Sequence, residues 1–157
     1  MDERKKLSAA DAFVQICNAL DKLDWKYSQD ESDLRIECSA QGEDLPMDLI
    51  IRCDVDMQLL QLFSQMPFTV PEDKRLDFAV VVSVINNKLV DGCFDYNVLD
   101  GKVFFRMTNS FRDIALGFET IKYLIFVSCA TIDSYNDKFL MVSKGMISLE
   151  QFLESEA

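Results

Sequence analysis

Histidine is absent from all 157 residues. That removes Ser-His-Asp and Cys-His catalysis, imidazole metal ligands and the usual proton switch near neutral pH. Glycine is scarce at five, and no G-x-G-x-x-G, Walker loop or G-x-S-x-G elbow occurs, so neither a nucleotide nor an acyl-transfer site has local support. Cysteines 17, 38, 53, 93 and 129 are odd in number, widely spaced and never in C-x-x-C. They signal neither a disulfide framework nor a zinc knuckle, and most read as buried small hydrophobes. No apolar run is long enough to span a bilayer, and Met1-Asp-Glu-Arg-Lys-Lys lacks the apolar core of a signal peptide, so the cytoplasm is the expected compartment. Positive charge is short as well: 16 Lys and Arg against 27 Asp and Glu leave a net charge of −11. Such a chain repels phosphate backbones and anionic membranes, which excludes nucleic-acid binding as an expectation. The acidity reads first as a solvated surface and second as a docking face for a basic partner.

What is present is a core. Hydrophobic residues make up 49% of the sequence and phenylalanine contributes 12, enough for one domain over 1–157 without metal or disulfide staples. Only the ends, Met1–Lys6 and Glu154–Ala157, read as loose.

Ser8-Ala-Ala-Asp11 resembles a capping box opening a helix with Phe13, Ile16, Cys17, Leu20 and Leu23 inward, ending near Trp25. Leu34, Ile36, Cys38 and Ala40 alternate with polar residues as in a half-buried strand. After a turn at Gly42–Pro46, Met47, Leu49, Ile51 and Cys53 repeat the pattern in an antiparallel partner. Met57–Met66 is apolar on both faces, which predicts a strand covered on both sides. Pro67 and Pro71 bound the next link, and Thr69-Val-Pro-Glu72 is a helix start. Phe78–Ile85 is rich in β-branched residues and also suits a buried strand. The helical spacing of Phe78, Val81, Ile85 and Leu89, with the stop at Gly92, favours a helix.

Asp100-Gly101 is a hairpin turn signal between strands near Cys93–Leu99 and Lys102–Thr108. Behind Ser110-Phe-Arg-Asp113, a third box, the positions Ile114, Phe118, Ile121, Ile125, Ser128, Ile132, Tyr135, Phe139, Val142 and Met146 step by three and four. They form one long amphipathic helix or two collinear ones. Ser148 and Gln151 make a capping box, and Ile147 and Phe152 a hydrophobic staple, for a short final helix.

Several carboxylates were candidates for chemistry. Asp54-Val-Asp56 has the look of a D-x-D metal pair but reads as a hairpin turn, where Asp bonds its own backbone. Asp91, Asp95 and Asp100, with Arg106 and Lys102 as anion contacts, could serve metal-assisted hydrolysis. Solvated positions and a structural Asp95–Arg106 pair explain them more economically. Cys53 and Cys93 have no activating neighbour in sequence. No catalytic, metal or cofactor-binding residue is therefore assigned.

Pro67 with Val70-Pro71, Asn86 and Gly92 six positions later, Phe94-Asp95, Asp100-Gly101 and Phe105-Arg106 before a long final helix resemble the YbjN family. These are small bacterial proteins described as candidate sensory transduction regulators, with a fold similar to type III secretion chaperones. The resemblance covers about Leu20 to Phe139. It implies an α+β domain whose antiparallel sheet packs helices on one face, in the order α, three strands, α, two strands, terminal α, and it supports the helix at Phe78–Leu89. The implied function is a non-catalytic cytoplasmic protein-interaction module, similar to a secretion chaperone or regulatory adaptor, without cofactor. Its partner is a protein of unknown identity or a second copy in a homodimer. The expected interaction surface holds Leu59, Phe63, Phe104 and Arg106. A metal-assisted hydrolase using Asp residues and a small-ligand sensor with an apolar pocket between sheet and helices are the alternatives.

Overall fold

A computed structural model describes residues Asp2–Ala157; Met1 lies outside them. The chain runs through α1 (Glu3–Lys22), β1 (Tyr27–Asp30), β2 (Arg35–Gln41), β3 (Pro46–Asp54) and β4 (Leu59–Thr69). A single 3₁₀ turn (Glu72–Lys74) leads into α2 (Arg75–Asn86), β5 (Cys93–Asn97), β6 (Lys102–Ser110), α3 (Phe118–Ser143) and α4 (Leu149–Glu156). The six strands form one sheet in the order β1-β2-β3-β4-β6-β5, and every neighbouring pair is antiparallel. This is the expected α+β class with all helices on one face: α1 packs on β3, α2 on β5, and α3 on β4 and β6.

Alternation dictates the layering. Met47, Leu49, Ile51 and Cys53 of β3, and Val103, Phe105 and Met107 of β6, are buried under the helices, so the residues between them point the other way. The core centres on aromatic rings that meet tilted or edge to face: Phe78 and Phe94 lie 5.4 and 4.8 Å from Phe139, and Phe94 lies 5.2 Å from Phe105. Burying each such ring contributes about 1.5–3 kcal/mol.

The ambiguous Phe78–Ile85 segment is helix, with Phe78, Val81, Val82 and Ile85 buried. The final capping box is complete: Gln151 N–H donates to Ser148 Oγ at 3.1 Å, and Ser148 N–H donates to Gln151 Oε1 at 2.9 Å.

Several expectations need correction. A fourth strand, β1, precedes the three foreseen. Only Tyr27 among its four residues is even partly covered, so it carries no apolar alternation. Helix α1 starts at Glu3, where the Asp2 carboxylate accepts from Arg4 N–H, and Ser8 lies inside it. The buried Ala9 and Ala12 extend the inward face upstream and explain why. The ends are accordingly helical from Glu3 and through Glu156.

Strand β4 is covered on one face only: Leu60, Leu62, Ser64 and Met66 are buried, whereas Leu59 and Phe63 are half-exposed on the other. Pro67 lies within β4 rather than beyond it. It is tolerated because the pairing with β6 shifts register between Gln65 and Thr69, where a missing N–H costs no ladder bond.

Thr69 closes β4 and caps nothing. Ser110 closes β6, its hydroxyl accepting from Arg112 N–H at 3.2 Å. The buried Phe111 and Leu116 pin the following strap, and α3 begins only after Gly117. From there α3 is one unbroken helix of 26 residues, about 39 Å long. Ile114 and Met146 lie off its ends and are exposed.

Gly92 has φ +73°, but α2 has already ended at Asn86. The glycine instead admits the chain to β5 beneath Phe105. A Cβ there would sit 2.5 Å from that ring and 3.2 Å from Arg106 O. The hairpin turn is longer than Asp100-Gly101: Asn97 pairs with Lys102, leaving Val98–Gly101 as a four-residue loop closed by Gly101 N–H donating to Asn97 O at 2.7 Å. Gly101 takes φ +77° there.

Candidate interaction face

The sheet surface opposite the helices is built from alternate residues of all six strands. Because β4 and β6 are neighbours in the sheet, their register brings the four expected surface residues onto this one face. Phe63 pairs with Arg106 across β4–β6, Gln65 with Phe104 and Leu59 with Ser110. Phe63 also pairs with Ile50 of β3. Ile50, Phe63 and Phe104 thus form the apolar centre, each half-buried. Ile50 was missed in the sequence. Its signal is a β-branched apolar residue at an outward position of β3, between Asp48 and Arg52.

Arg106 is held, not free. Its Nε donates to Asp95 Oδ2 at 2.6 Å and its Nη2 to Asp95 Oδ1 at 3.1 Å, with Cys93 Sγ 3.3 Å from Nη2. The bidentate bond keeps the Asp95 carboxyl below its usual range, and the guanidinium charge adds to the effect. This is the structural pair expected from sequence. Burial and the Asp95 charge push the Cys93 thiol up, so the arginine does not make it a nucleophile.

Further along, Arg35 pairs with Glu37 at 2.6 Å, Arg52 with Asp33 at 3.4 Å, and Ser39 Oγ donates to Asp48 Oδ1 at 2.7 Å. A hollow of about 390 Å³ opens here, lined by Ser28, Arg35, Glu37, Ser39, Asp48 and Ile50 among others. Charge is balanced across the face. Arg35, Arg52, Lys102 and Arg106 stand against Asp30, Glu37, Asp48, Asp54 and Asp95, one excess negative charge, whereas the chain carries eleven. Nearly all of the net charge therefore lies on the helical side and the loops.

The carboxylates do not converge. Asp54 accepts from Met57 N–H at 2.8 Å in the turn after β3, Asp91 accepts from the Tyr123 hydroxyl, and Asp100 accepts from Lys102 N–H at 3.0 Å in its loop. Among the described residues no group of three or more Cys, Asp or Glu is placed to hold a metal ion. Cys38 and Cys53 are buried, which pushes each thiol up to about 12; Cys129 is raised to about 11 by burial. The space between sheet and helices is filled by side chains at most 6% exposed. A groove of about 630 Å³ lies instead at the surface, between the start of α1 and the strap at Asp113–Leu116. Among the described residues no helix is long and apolar enough to cross a membrane.

The architecture is shared with solved structures. The E. coli protein YbjN, described as a candidate transcription regulator, superposes with a TM-score of 0.58 at 13% identity, covering 80% of this chain and 92% of that one. A chain of the HopA1–SchA chaperone–effector complex gives 0.57 at 11% identity over 83% and 97%. An uncharacterized protein from Methanothermobacter thermautotrophicus gives 0.54 at 14% over 87% and 99%. The fold is thus YbjN-like and secretion-chaperone-like, as the sequence resemblance implied. No protein-family model matches the chain, and no curated protein does.

Proposed function

We propose that this chain is a non-catalytic protein-interaction module of a bacterial cytoplasm, acting as a chaperone-like or regulatory adaptor. Its docking surface is the outer sheet face centred on Leu59, Phe63, Phe104 and Arg106, with Ile50. The observation that carries the reading is an uncovered six-stranded face with an apolar centre and almost no net charge in a chain of −11. A protein partner approaching elsewhere meets nearly all of the net negative charge; here it meets paired charges around half-buried Phe side chains, which favour association.

The first occupant is a second copy. Two acidic chains repel through their helical sides, and this face is where they can meet, with two-fold pairing the commonest solution. The same acidity disfavours direct contact with nucleic acid, so a regulatory role runs through proteins. The fold neighbours named as a chaperone complex and a candidate regulator are consistent with protein binding.

Light scattering at micromolar concentration tests the pairing. The expected mass is twice 18.0 kDa, returning to one chain in Phe63→Asp and Phe104→Asp. A wild-type mass of one chain refutes the homodimer. Metal-supplemented turnover of generic phosphatase or esterase substrates that disappears in Asp54→Ala or Asp95→Ala refutes the non-catalytic reading.

A further inference from the structure

Helix α4 is attached to the rest of the molecule by little. Of its eight residues only Phe152 is fully buried. It lies against α2, and Lys138 of α3 holds its ammonium 6.0 Å from the Phe152 ring centroid. Four residues on, and so on the same helix face, the Glu156 carboxylate is 9% exposed between two lysines. Lys88, just past α2, donates to Glu156 Oε2 at 2.6 Å and to its main-chain O at 2.8 Å, and Lys138 donates to Oε1. Leu149, partly buried against the core, precedes Phe152 by three.

The helix is otherwise self-contained. Its N-terminus is satisfied by its own capping box, and the link from α3 is exposed at Lys144–Met146 with Gly145 at φ +71°. A segment with one buried ring, one clamped carboxylate and an exposed hinge opens more readily than helices whose whole stripe is buried.

We propose that α4 is a resident ligand in a helix-binding socket between α2 and α3, displaced by a partner's acidic amphipathic helix. The partner helix carries an apolar residue, Phe and a carboxylate at i, i+3 and i+7, the pattern of Leu149, Phe152 and Glu156. The socket reads the ring by burial and the carboxylate by the ammoniums of Lys88 and Lys138, a helix-in-groove mode with a charged register mark. This is a locally basic site in an acidic chain, which selects acidic helices against the repulsion of the remaining surface. The proposal is independent of the outer sheet face and stands or falls separately from it.

A fluorescein-labelled peptide of residues 146–157 serves as the probe. Added to the full chain carrying Phe152→Ala and Glu156→Gln, it is expected to bind at least tenfold more tightly than to wild type. Binding is expected to fall when Lys88→Glu and Lys138→Glu are added, or when the peptide carries Phe152→Ala. A double variant with native circular dichroism that binds no better than wild type, or that takes the Phe-less peptide equally, overturns the proposal. Should the double variant not fold, hydrogen exchange on the wild-type chain decides. The amides of α4 are expected to exchange at least tenfold faster than those at the centres of α2 and α3, and equal rates overturn separable opening.

Discussion

Substituting Gly92 by alanine tests the hairpin entrance in two separable ways. At φ +73° a Cβ meets its own backbone, which costs about 1–2 kcal/mol in the left-handed region. The same Cβ lies 2.5 Å from Phe105 Cζ and 3.2 Å from Arg106 O. Phe105 is fully buried and packed edge to face on Phe94, so its ring can give way only by disturbing the core, at about 1–3 kcal/mol.

Together these predict a loss of about 2–5 kcal/mol, against the roughly 5–15 kcal/mol stability of an ordinary domain. For a chain of this size that lowers Tm by on the order of 5–15 °C. Urea and thermal unfolding followed by circular dichroism measure it, with Gly117→Ala as the control. Gly117 has ordinary φ −82° and no atom within 4 Å of a Cβ, so alanine there meets no clash and costs only its weaker N-capping of α3, up to about 1 kcal/mol and without coupling to Phe105. Phe105→Leu in the Gly92→Ala background should recover part of the steric loss and none of the backbone loss, visible as coupling in a double-mutant cycle. A Gly92→Ala loss below about 1 kcal/mol, or no coupling to Phe105, refutes the argument.

Native thiol titration should label Cys38 and Cys53 slowly, with all five cysteines reacting after denaturation; rapid native labelling of either contradicts its strand register. Stability should fall in acid. Asp95 is depressed first by its Arg106 bonds and Glu156 by its Lys138 and Lys88 bonds. Stability from such groups is present above the unfolded carboxyl range near pH 4 and lost as pH falls through the lower folded values. At the other extreme, Cys38 and Cys53 stay protonated in the fold to about 12, so stability should fall from about pH 9, as the unfolded chain alone gives up those protons. With no histidine, urea midpoints should be nearly flat from about pH 6 to about pH 8. Asp95→Asn should cost no more than about 1 kcal/mol because the pair is 40% and 46% exposed, and a larger loss shows that the pair is desolvated.

Legibility followed physics that acts locally. Strands β2 and β3 were readable because every inward residue is apolar and nearly every outward one polar, and Ser148–Gln151 because a capping box is a contact across three residues. The long α3 stripe and the Asp95–Arg106 bond followed from spacing and register. Where tertiary context decided, the sequence misled. Leu59 and Phe63 gave β4 two apolar faces although the helices cover one, Pro67 is tolerated by a register shift set by β6, and Ser8 has the letters of a cap inside a helix already begun. Strand β1 has no pattern because it only edges the sheet. The outer face was half legible: its residues could be nominated one by one, but the meeting of Ile50, Phe63 and Phe104 is a product of strand order. The Glu156 clamp joins residues 68 and 18 apart, beyond any local signal.

The strand order has a consequence for how the chain assembles during synthesis. Strands β1 to β4 pair with their sequence neighbours and can zip as soon as they emerge, but β4 pairs next with β6, past α2 and β5. Until the hairpin of β5 and β6 arrives, β4 presents an unpaired edge, and until α3 follows, the inward faces of β4 and β6 have no roof. The closing step therefore joins segments some 40 residues apart along the chain, late and at a cost in loop entropy. A nascent chain halted before α3 is an adhesive half-sheet.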